Sequence, residues 1–496
     1  MSQPPIWRDT GHPARLEKIL PQGEVECGLS PRRCRIAPGK TGFCGVRGNV
    51  GGRLVTFTYG KGVHLTGEVI ETEAVYHYAP GARILSLGNI GCNLTCSYCQ
   101  NWKTSQARQV DAADLHAFTP EQVVDRALAH GIPILSWTYN DPVVWHEFVL
   151  DAARLARQAG LLNLFKSAFY ITPEAVEELL PVIDIFSISL KSIRPAYYRR
   201  LTGGTLEPVL EGIRQVQRAG HHLEISNLML TDISDDADSA RELTAWVLET
   251  VGPDVPLHFV RFHPEFRLTD TVRTPIDRLR RAREIALEMG MRYVYLGNVS
   301  DTDATSTWCR GCGALLVRRF GLTTRIEGLT VDGHCVRCGA SPAIRLLGGT
   351  PAATSEPEFP AEQTLERQTY HWRGAIASLH VQVRNANPAP IRFYHRPLPA
   401  RPEAGWRGLT LAAGESWRFT LSREGAEETG CEIGCPPGVD CRLHEVFDRA
   451  HFPTIPIQQA VAADDKTALP LFAGRHLSPE RLARLRQEIE RDEESP

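Results

Sequence analysis

The run Gly91-Cys92-Asn93-Leu94-Thr95-Cys96-Ser97-Tyr98-Cys99 decides how this chain is read. Its spacing is C-x3-C-x2-C, with an aromatic residue just before the last cysteine. Three thiolates this close hold three corners of a cubane iron–sulfur cluster. A full ligand set is four cysteines, so one iron stays open to another ligand. An open iron on a strongly reducing cluster is what is needed to chelate S-adenosylmethionine and split it into methionine and a 5′-deoxyadenosyl radical. The alternatives are a zinc site that borrows a histidine, or three buried structural thiols. No histidine lies inside the run, and Gly91 eases a tight loop.

Around that run the chain has 496 residues, a length that suggests about three domains. Its composition is 42% hydrophobic and 23% charged, as in a globular protein. With 55 basic and 58 acidic residues the net charge is −3, so no global electrostatic reason exists to bind nucleic acid or an anionic membrane. The Arg278, Arg280, Arg281, Arg283 cluster reads as a solvated helix face. The start lacks a signal-peptide pattern and no stretch is apolar for long enough to span a bilayer, so the expectation is a cytoplasmic protein. Thirteen cysteines in a reducing compartment argue for metal ligation over disulfides. They fall in four groups: Cys27, Cys34, Cys44; Cys92, Cys96, Cys99; Cys309, Cys312, Cys335, Cys338; and Cys431, Cys435, Cys441.

From residue 82 to 300 the chain repeats a strand-then-helix rhythm. Apolar, β-branched runs at Ile84–Leu87, Ile132–Trp137, Leu161–Phe165, Val182–Leu190, Leu223–Met229, Leu257–Phe262 and Tyr293–Leu296 predict strands. Thr119-Pro120, Thr172-Pro173 and Thr274-Pro275 each predict an N-cap followed by proline at the first helical position. Thr119 with Gln122 has capping-box spacing, and Gly131, Gly160, Gly220 and Gly290 stand where helices should stop. The fold class is therefore α/β, a partial β/α barrel with its active site at the C-terminal ends of the strands. The cysteine loop follows the first of these strands and so lies on that face.

The remaining domains are read from composition. Residues 1–81 form an irregular, glycine-rich, cysteine-containing extension. Residues 301–348 hold two CxxCG knuckles, Cys309/Cys312 and Cys335/Cys338, separated by 22 residues. This is the spacing of a four-thiolate ribbon that takes zinc, with a single rubredoxin-like iron as the other candidate. Residues 349–364 read as a linker and 365–496 as a β-rich domain of unknown role, ending in a charged helix over 478–491. Within it, Cys431, Cys435 and Cys441 fit either metal ligation or a thiol-bearing loop. Cys27, Cys34 and Cys44 are candidates for a second metal or cluster.

Taken together, several segments resemble the radical SAM superfamily. Within it the chain looks most like the AmmeMemoRadiSam system radical SAM enzyme, a relative of pyruvate formate-lyase activating enzyme. The resemblance rests on Cys27 to Cys34 with Gly42-Phe43-Cys44-Gly45-Val46-Arg47, on Cys92 to Cys99 followed by Gln100-Asn101-Trp102, and on Thr138-Tyr139-Asn140-Asp141-Pro142. It continues through Pro256 to Pro264 and Tyr293 to Val299 to the double knuckle, and does not extend past about residue 350. It implies a radical SAM fold, a [4Fe-4S] cluster on Cys92, Cys96 and Cys99, and bound S-adenosylmethionine. Tyr98 would lie against adenine, and Asn140, Asp141, Ser189 and Lys191 would belong to the cofactor shell. It further implies an electron donor such as flavodoxin or ferredoxin, and a protein among the candidate substrates, as in glycyl-radical activating enzymes.

The departures matter as much. Asp141 replaces the family's glutamate and is one methylene shorter; the alternative role is an Asp-Pro turn opening a helix. Ser189-Leu190-Lys191 replaces Asp-Leu-Lys. Ser167-Ala168-Phe169 replaces Thr-Asn-Gly, and Phe169 is expected to narrow the pocket. Ser226-Asn227-Leu228 replaces a threonine pair. His258, Arg261 and His263 are further pocket candidates, with a core histidine satisfied by backbone as the plainer reading. A metal-bearing scaffold protein with weakened cofactor chemistry is the rival to the enzyme.

Overall fold

The computed structural model describes residues 11–107, 110, 115–299, 301–320, 323–347, 366–371, 376–389, 391–398, 407–411, 416–422, 430–447, 487 and 489. The expected linker at 349–364 and almost all of the helix expected over 478–491 lie outside them.

The central element is an eight-stranded sheet. In chain order its strands are β1 (His64–Val69), β2 (Arg83–Gly88), β3 (Ile134–Thr138), β4 (Leu162–Ser167), β5 (Ile185–Ser189), β6 (His222–Met229), β7 (Leu257–Arg261) and β8 (Val294–Gly297). The spatial order is β8-β7-β6-β5-β4-β3-β2-β1. Strands β2 to β8 are parallel, and β1 runs antiparallel to β2. The outermost strands do not pair, so the barrel is open. Between successive parallel strands lie α1 (Pro120–Ala129), α2 (His146–Gln158), α3 (Pro173–Leu179), α4 (Glu207–Arg218), α5 (Ala237–Thr250) and α6 (Ile276–Glu288). The seven expected strands are all present. The chain before residue 82 contributes β1 to the same sheet, which its weak alternation and Gly67 conceal in the sequence.

The two faces of the sheet take alternate residues. Leu85, Leu87, Leu135, Trp137, Phe165, Phe186, Ile188 and Ile225 pack outward with apolar residues of the helices. Ile84, Ile134, Leu164 and Ile185 face inward and are closed off by Ile70, Val75 and Ala79 from the connection between β1 and β2. That connection plugs the N-terminal end of the barrel.

Helix punctuation follows local chemistry in part. Thr119 forms a full capping box with Gln122, and Gly131, Gly160, Gly220 and Gly290 all have positive φ. Thr172 holds the predicted N-cap position before Pro173 without a side-chain cap, whereas Thr274 does not hold the N-cap position. The Thr172 hydroxyl donates to the Gly28 carbonyl at 2.7 Å and caps no helix N–H. Thr274 donates to the Met229 carbonyl at 2.6 Å, and Pro275 is the cap residue of α6. Tertiary acceptors compete for these hydroxyls and win.

Past the barrel, Thr307–Trp308, Leu315–Phe320 and Thr323–Ile326 form a three-stranded antiparallel sheet beside the knuckles. The C-terminal region is β-rich, in sheets of four and three strands. Cys431 and Cys435 lie on strand Gly430–Cys435 and Cys441 on Val439–Phe447. They pack with Leu379, Val381, Phe393 and Ile433, so they are core thiols on strands and not a loop. Val69 of β1 joins the same apolar cluster. Among the described residues no helix is long and apolar enough to cross a membrane.

Candidate functional site

The thiol loop leaves β2 at its C-terminal end. Gly91 has φ +85°, and a Cβ there would sit 2.8 Å from the Cys44 carbonyl, so this position requires glycine. Neighbouring segments hold the loop by its backbone. Thr95 N–H donates to the Thr202 carbonyl and Ser97 N–H to the Leu201 carbonyl, both at 2.9 Å. Arg267 N–H donates to the Ser97 carbonyl at 2.9 Å. Gly203 and Gly204 leave room for Thr95 and Leu94, which a Cβ would meet at 2.8 and 2.7 Å. The Leu94 N–H points to Cys92 Sγ at 3.3 Å, the kind of donor that stabilises a thiolate.

Cys92, Cys96 and Cys99 are half-buried and unpaired. Burial pushes the Cys92 thiol well up, Cys96 up to about 12, and Cys99 up; Lys191 partly offsets this for Cys96 and Cys99. Such thiols stay protonated at neutral pH until a metal displaces the protons. Their sulfurs are not all within 4.8 Å of one another. Among the described residues only Cys309, Cys312, Cys335 and Cys338 bring three or more ligand atoms that close. A single tetrahedral ion with bonds of about 2.3 Å needs sulfurs about 3.8 Å apart. A cubane binds each thiolate through a different iron and tolerates the wider set. The loop is thus not a preformed single-ion site of the ribbon kind.

The structure sorts the expected cofactor shell. Asn140 is buried and donates to the Gly91 carbonyl at 2.6 Å, while its Oδ1 has no hydrogen-bond partner. Asp141 is occupied: it accepts from Val143 N–H at 3.2 Å, Ser167 Oγ at 2.7 Å and Ala168 N–H at 3.2 Å. Burial raises its pKa despite those donors. Its turn-opening role is thus realised, since it caps the short 3-10 turn Pro142–Trp145. Tyr98 is 2% exposed and packs toward Tyr197, with ring centroids 6.3 Å apart. Lys191 follows β5, and Asn227 holds its carbonyl at 3.0 Å. Ser189 faces inward and pairs with Ser226 at 3.2 Å.

Phe169 corrects the expectation of a narrowed pocket. It keeps the left-handed backbone natural to glycine, φ +58°. Its ring turns outward to Phe165 and Phe186 and lies against Gly212, whose Cβ would meet it at 2.8 Å. His258 corrects another: a carboxylate, not the backbone, satisfies it, at 2.7 Å from Glu224. Arg261 donates to the Thr274 carbonyl at 2.7 Å, and His263 meets Gln100 at 3.1 Å.

Sequence reasoning passed over the polar interior. Glu224 is fully buried and accepts from Tyr76 N–H, His77 N–H at 2.7 Å, His222 and His258. Burial alone would raise Glu224; the two imidazoles override it and hold its carboxyl well below the usual range. Above it, Lys166 Nζ donates to Ser187 at 3.1 Å and Ser226 at 3.0 Å. Burial lowers the Lys166 amine to about 8, against the opposing pull of Glu73. Glu73, on the plug, accepts from Ser136 and Thr138. The signal in sequence is faint, a charge or hydroxyl every second residue inside otherwise apolar runs.

In the knuckles, Cys309 and Cys335 each donate N–H five residues on, to Ala314 and Ala340, both at 2.8 Å. Each accepts from the glycine four residues on, Gly313 and Gly339, which have φ +70° and +72°. The two turns thus share one hydrogen-bond pattern. Cys309–Cys338 and Cys312–Cys335 sulfurs are 3.5 and 3.7 Å apart, the edge of a tetrahedral single-ion site. A larger surface cleft of about 690 Å³ between Leu65, His116 and α1 includes no cysteine.

The profile described as the radical SAM superfamily matches residues 89–243. An uncharacterized protein of Methanocaldococcus jannaschii is 36% identical over 327 residues, covering 66% of this chain and 97% of that protein. A pyruvate formate-lyase-activating enzyme of Listeria monocytogenes is 22% identical over 179 residues, covering 34% of this chain and 70% of the enzyme. A domain of the pyruvate-formate lyase-activating enzyme of Bacteroides vulgatus superposes with a TM-score of 0.29 at 16% identity, covering 33% of this chain and 98% of that domain. Residues 89–243 carry a radical SAM superfamily domain.

Proposed function

We propose that the chain is a radical SAM enzyme whose open-site [4Fe-4S] cluster, on Cys92, Cys96 and Cys99, serves reductive cleavage of S-adenosylmethionine. The observation that carries this reading is the place of the three thiols. They sit on a braced loop at the C-terminal mouth of an ordered parallel sheet, and their sulfurs do not all come within 4.8 Å of one another. Bound there, the cluster and S-adenosylmethionine supply a primary carbon radical that abstracts hydrogen. This chain's residues orient and exclude water: the Asn140 Oδ1 is an unfilled acceptor suited to an ammonium, and Lys191 is the cation for a carboxylate. Asp141, with both oxygens occupied, holds the turn that carries Asn140. The floor formed by Lys166, Ser187 and Ser226 faces the same mouth.

The substrate class we propose is a protein, by likeness to enzymes named for activating pyruvate formate-lyase, with a one-electron donor of the flavodoxin or ferredoxin type. For the ribbon Cys309, Cys312, Cys335 and Cys338 we propose structural zinc. The test is anaerobic: reconstitute iron and sulfide, reduce with dithionite, add S-adenosylmethionine and quantify 5′-deoxyadenosine. Product from the wild type and none from Cys96→Ala is expected. A filled cluster that yields no product would move the reading to the metal-bearing scaffold.

A further inference from the structure

The N-terminal thiols Cys27, Cys34 and Cys44 line an internal cavity of about 20 Å³, room for about one water. The barrel interior offers more. Lys166 stands on β4 two residues beyond inward-facing Leu164, so it takes the same face, one layer nearer the C-terminal mouth. It is only half-buried there. Its approach is open: Ala168, next in that alternation, is small and half-buried, and the Phe169 ring lies outside the barrel.

An ammonium has three hydrogens to donate. Lys166 gives one to Ser187 at 3.1 Å and one to Ser226 at 3.0 Å, and no acceptor among the described residues takes the third. Ser187 has nothing left to give, because its hydroxyl donates to the Glu73 carbonyl at 2.6 Å. Ser189 and Ser226 share one hydrogen across 3.2 Å, and whichever of them accepts it keeps its own hydrogen free. Two donors, one of them charged, thus stand together without a protein acceptor. Water serves them in the resting protein; an oxyanion serves them better, because it also meets the charge.

That charge lacks a direct partner. Glu73 turns its carboxylate to Ser136 and Thr138, and among the described residues no ion pair joins it to Lys166. Glu224 is held by His222 and His258. Burial lowers the Lys166 amine only to about 8, so it is cationic at neutral pH. Lys191 acts electrostatically on Lys166 and on Cys96 and Cys99 alike, which puts a second cation at the same mouth. With Lys191 engaged by the carboxylate of S-adenosylmethionine, Lys166 is left for a second anion.

We infer that Lys166, with the free hydroxyl of the Ser189–Ser226 pair, binds a carboxylate of the substrate at the barrel floor. The inference rests on the radical reading proposed above and narrows its substrate to one that carries an acidic group. Two adjacent donors match the two oxygens of a carboxylate, whereas a phosphate dianion brings more acceptors than the floor has donors. In a protein substrate that carboxylate is an aspartate or glutamate side chain, or a chain terminus.

The test titrates acetyl-glutamyl-amide and acetyl-glycine, a side-chain and a terminal carboxylate, into the reconstituted full chain with S-adenosylmethionine bound. Nuclear magnetic resonance line broadening of each probe reads its binding. At least one is expected to bind, and to bind more tightly than its uncharged counterpart, acetyl-glutaminyl-amide or acetyl-glycinamide; the tighter of the two tells which source the site prefers. Lys166→Met should weaken that probe about tenfold and weaken S-adenosylmethionine far less. In the wild type, where no variant has to fold, the probe should slow acetylation of Lys166 by acetic anhydride, read by peptide mass spectrometry, and leave exposed Lys18 unaffected. The inference is overturned if neither carboxylate binds better than its amide, or if the bound probe leaves Lys166 acetylation unchanged. It is equally overturned if Lys166→Met, with circular dichroism intact, weakens S-adenosylmethionine as much as the probe. Probe binding without 5′-deoxyadenosine would sustain this carboxylate site while defeating the radical reading.

Discussion

The thiol loop and the ribbon use the same side chain toward opposite ends. In the ribbon, two identical hydrogen-bonded turns bring four sulfurs to 3.5 and 3.7 Å edges, a closed set that leaves an ion no vacant position. In the loop, three sulfurs stand farther apart on a segment braced by backbone from residues 201–204 and 267. Closure suits a structural ion, and an incomplete, spread set suits a metal that must still bind something else. Geometry around the cysteines, more than their number, separates scaffold from chemistry.

That contrast can be broken most forcefully at the ribbon. Cys335→Ser should remove one metal ion per chain and unfold the knuckles, because structural zinc sites draw on the order of 10 kcal/mol from the metal. Hydrogen exchange should show lost protection in Leu315–Phe320 with β3 to β5 unchanged, and iron at the loop should stay. Loss of loop iron as well would mean that the two regions are not independent.

Next in size is the polar interior beneath the loop. Glu224→Gln leaves two buried imidazoles and two backbone donors sharing one neutral group, and should cost about 3–5 kcal/mol in chemical denaturation. Acid should act in the same direction. Burial holds His77 at about 3 in the folded protein, against about 6.5 when unfolded. Below pH 6.5 the unfolded chain takes up that proton first, so stability should fall as pH drops from about 6.5 toward 3. Glu224, held low, adds a loss in the carboxylate range. A melting temperature flat across that window would contradict the assignment, while the ribbon ion should remain bound after Glu224→Gln.

Smaller effects sharpen the picture of the bracing. Gly203→Ala, at φ +68° with Thr95 Oγ1 2.8 Å from the new Cβ, should cost about 1–2 kcal/mol and reduce iron retention by the loop. Retention equal to wild type would mean that the loop needs no support from this segment. Thr119→Ala removes the observed capping box and should cost about 1 kcal/mol, read as a small shift in denaturation midpoint with both metal sites full.

Much of this was legible in the sequence because it depends on short-range chemistry. Strands announced themselves by β-branched runs, helix ends by glycine, and the four-thiol ribbon group by cysteine spacing. What escaped depends on partners distant in sequence. Phe169 looked like an obstruction, but its direction is set by Phe186 and Gly212. Thr172 and Thr274 had the right neighbours for caps and spent their hydroxyls elsewhere. Lys166 and Glu224 drew no reading of their own, because the hydroxyls and imidazoles that accommodate them come from other strands. Antiparallel β1 was hidden by its glycine and mixed polarity.

Arg319 has one consequence for the order in which the molecule is built. Its guanidinium, 1% exposed, donates to the Tyr76 carbonyl at 2.7 Å and pairs with Glu71 at 3.2 Å, tying the ribbon to the plug almost two hundred and fifty residues earlier. During synthesis, the barrel strands through β8 leave the ribosome before that arginine does. The plug's bonds to Glu224, Ser136 and Thr138 need only the barrel strands, while its tie to Arg319 has to wait for the ribbon.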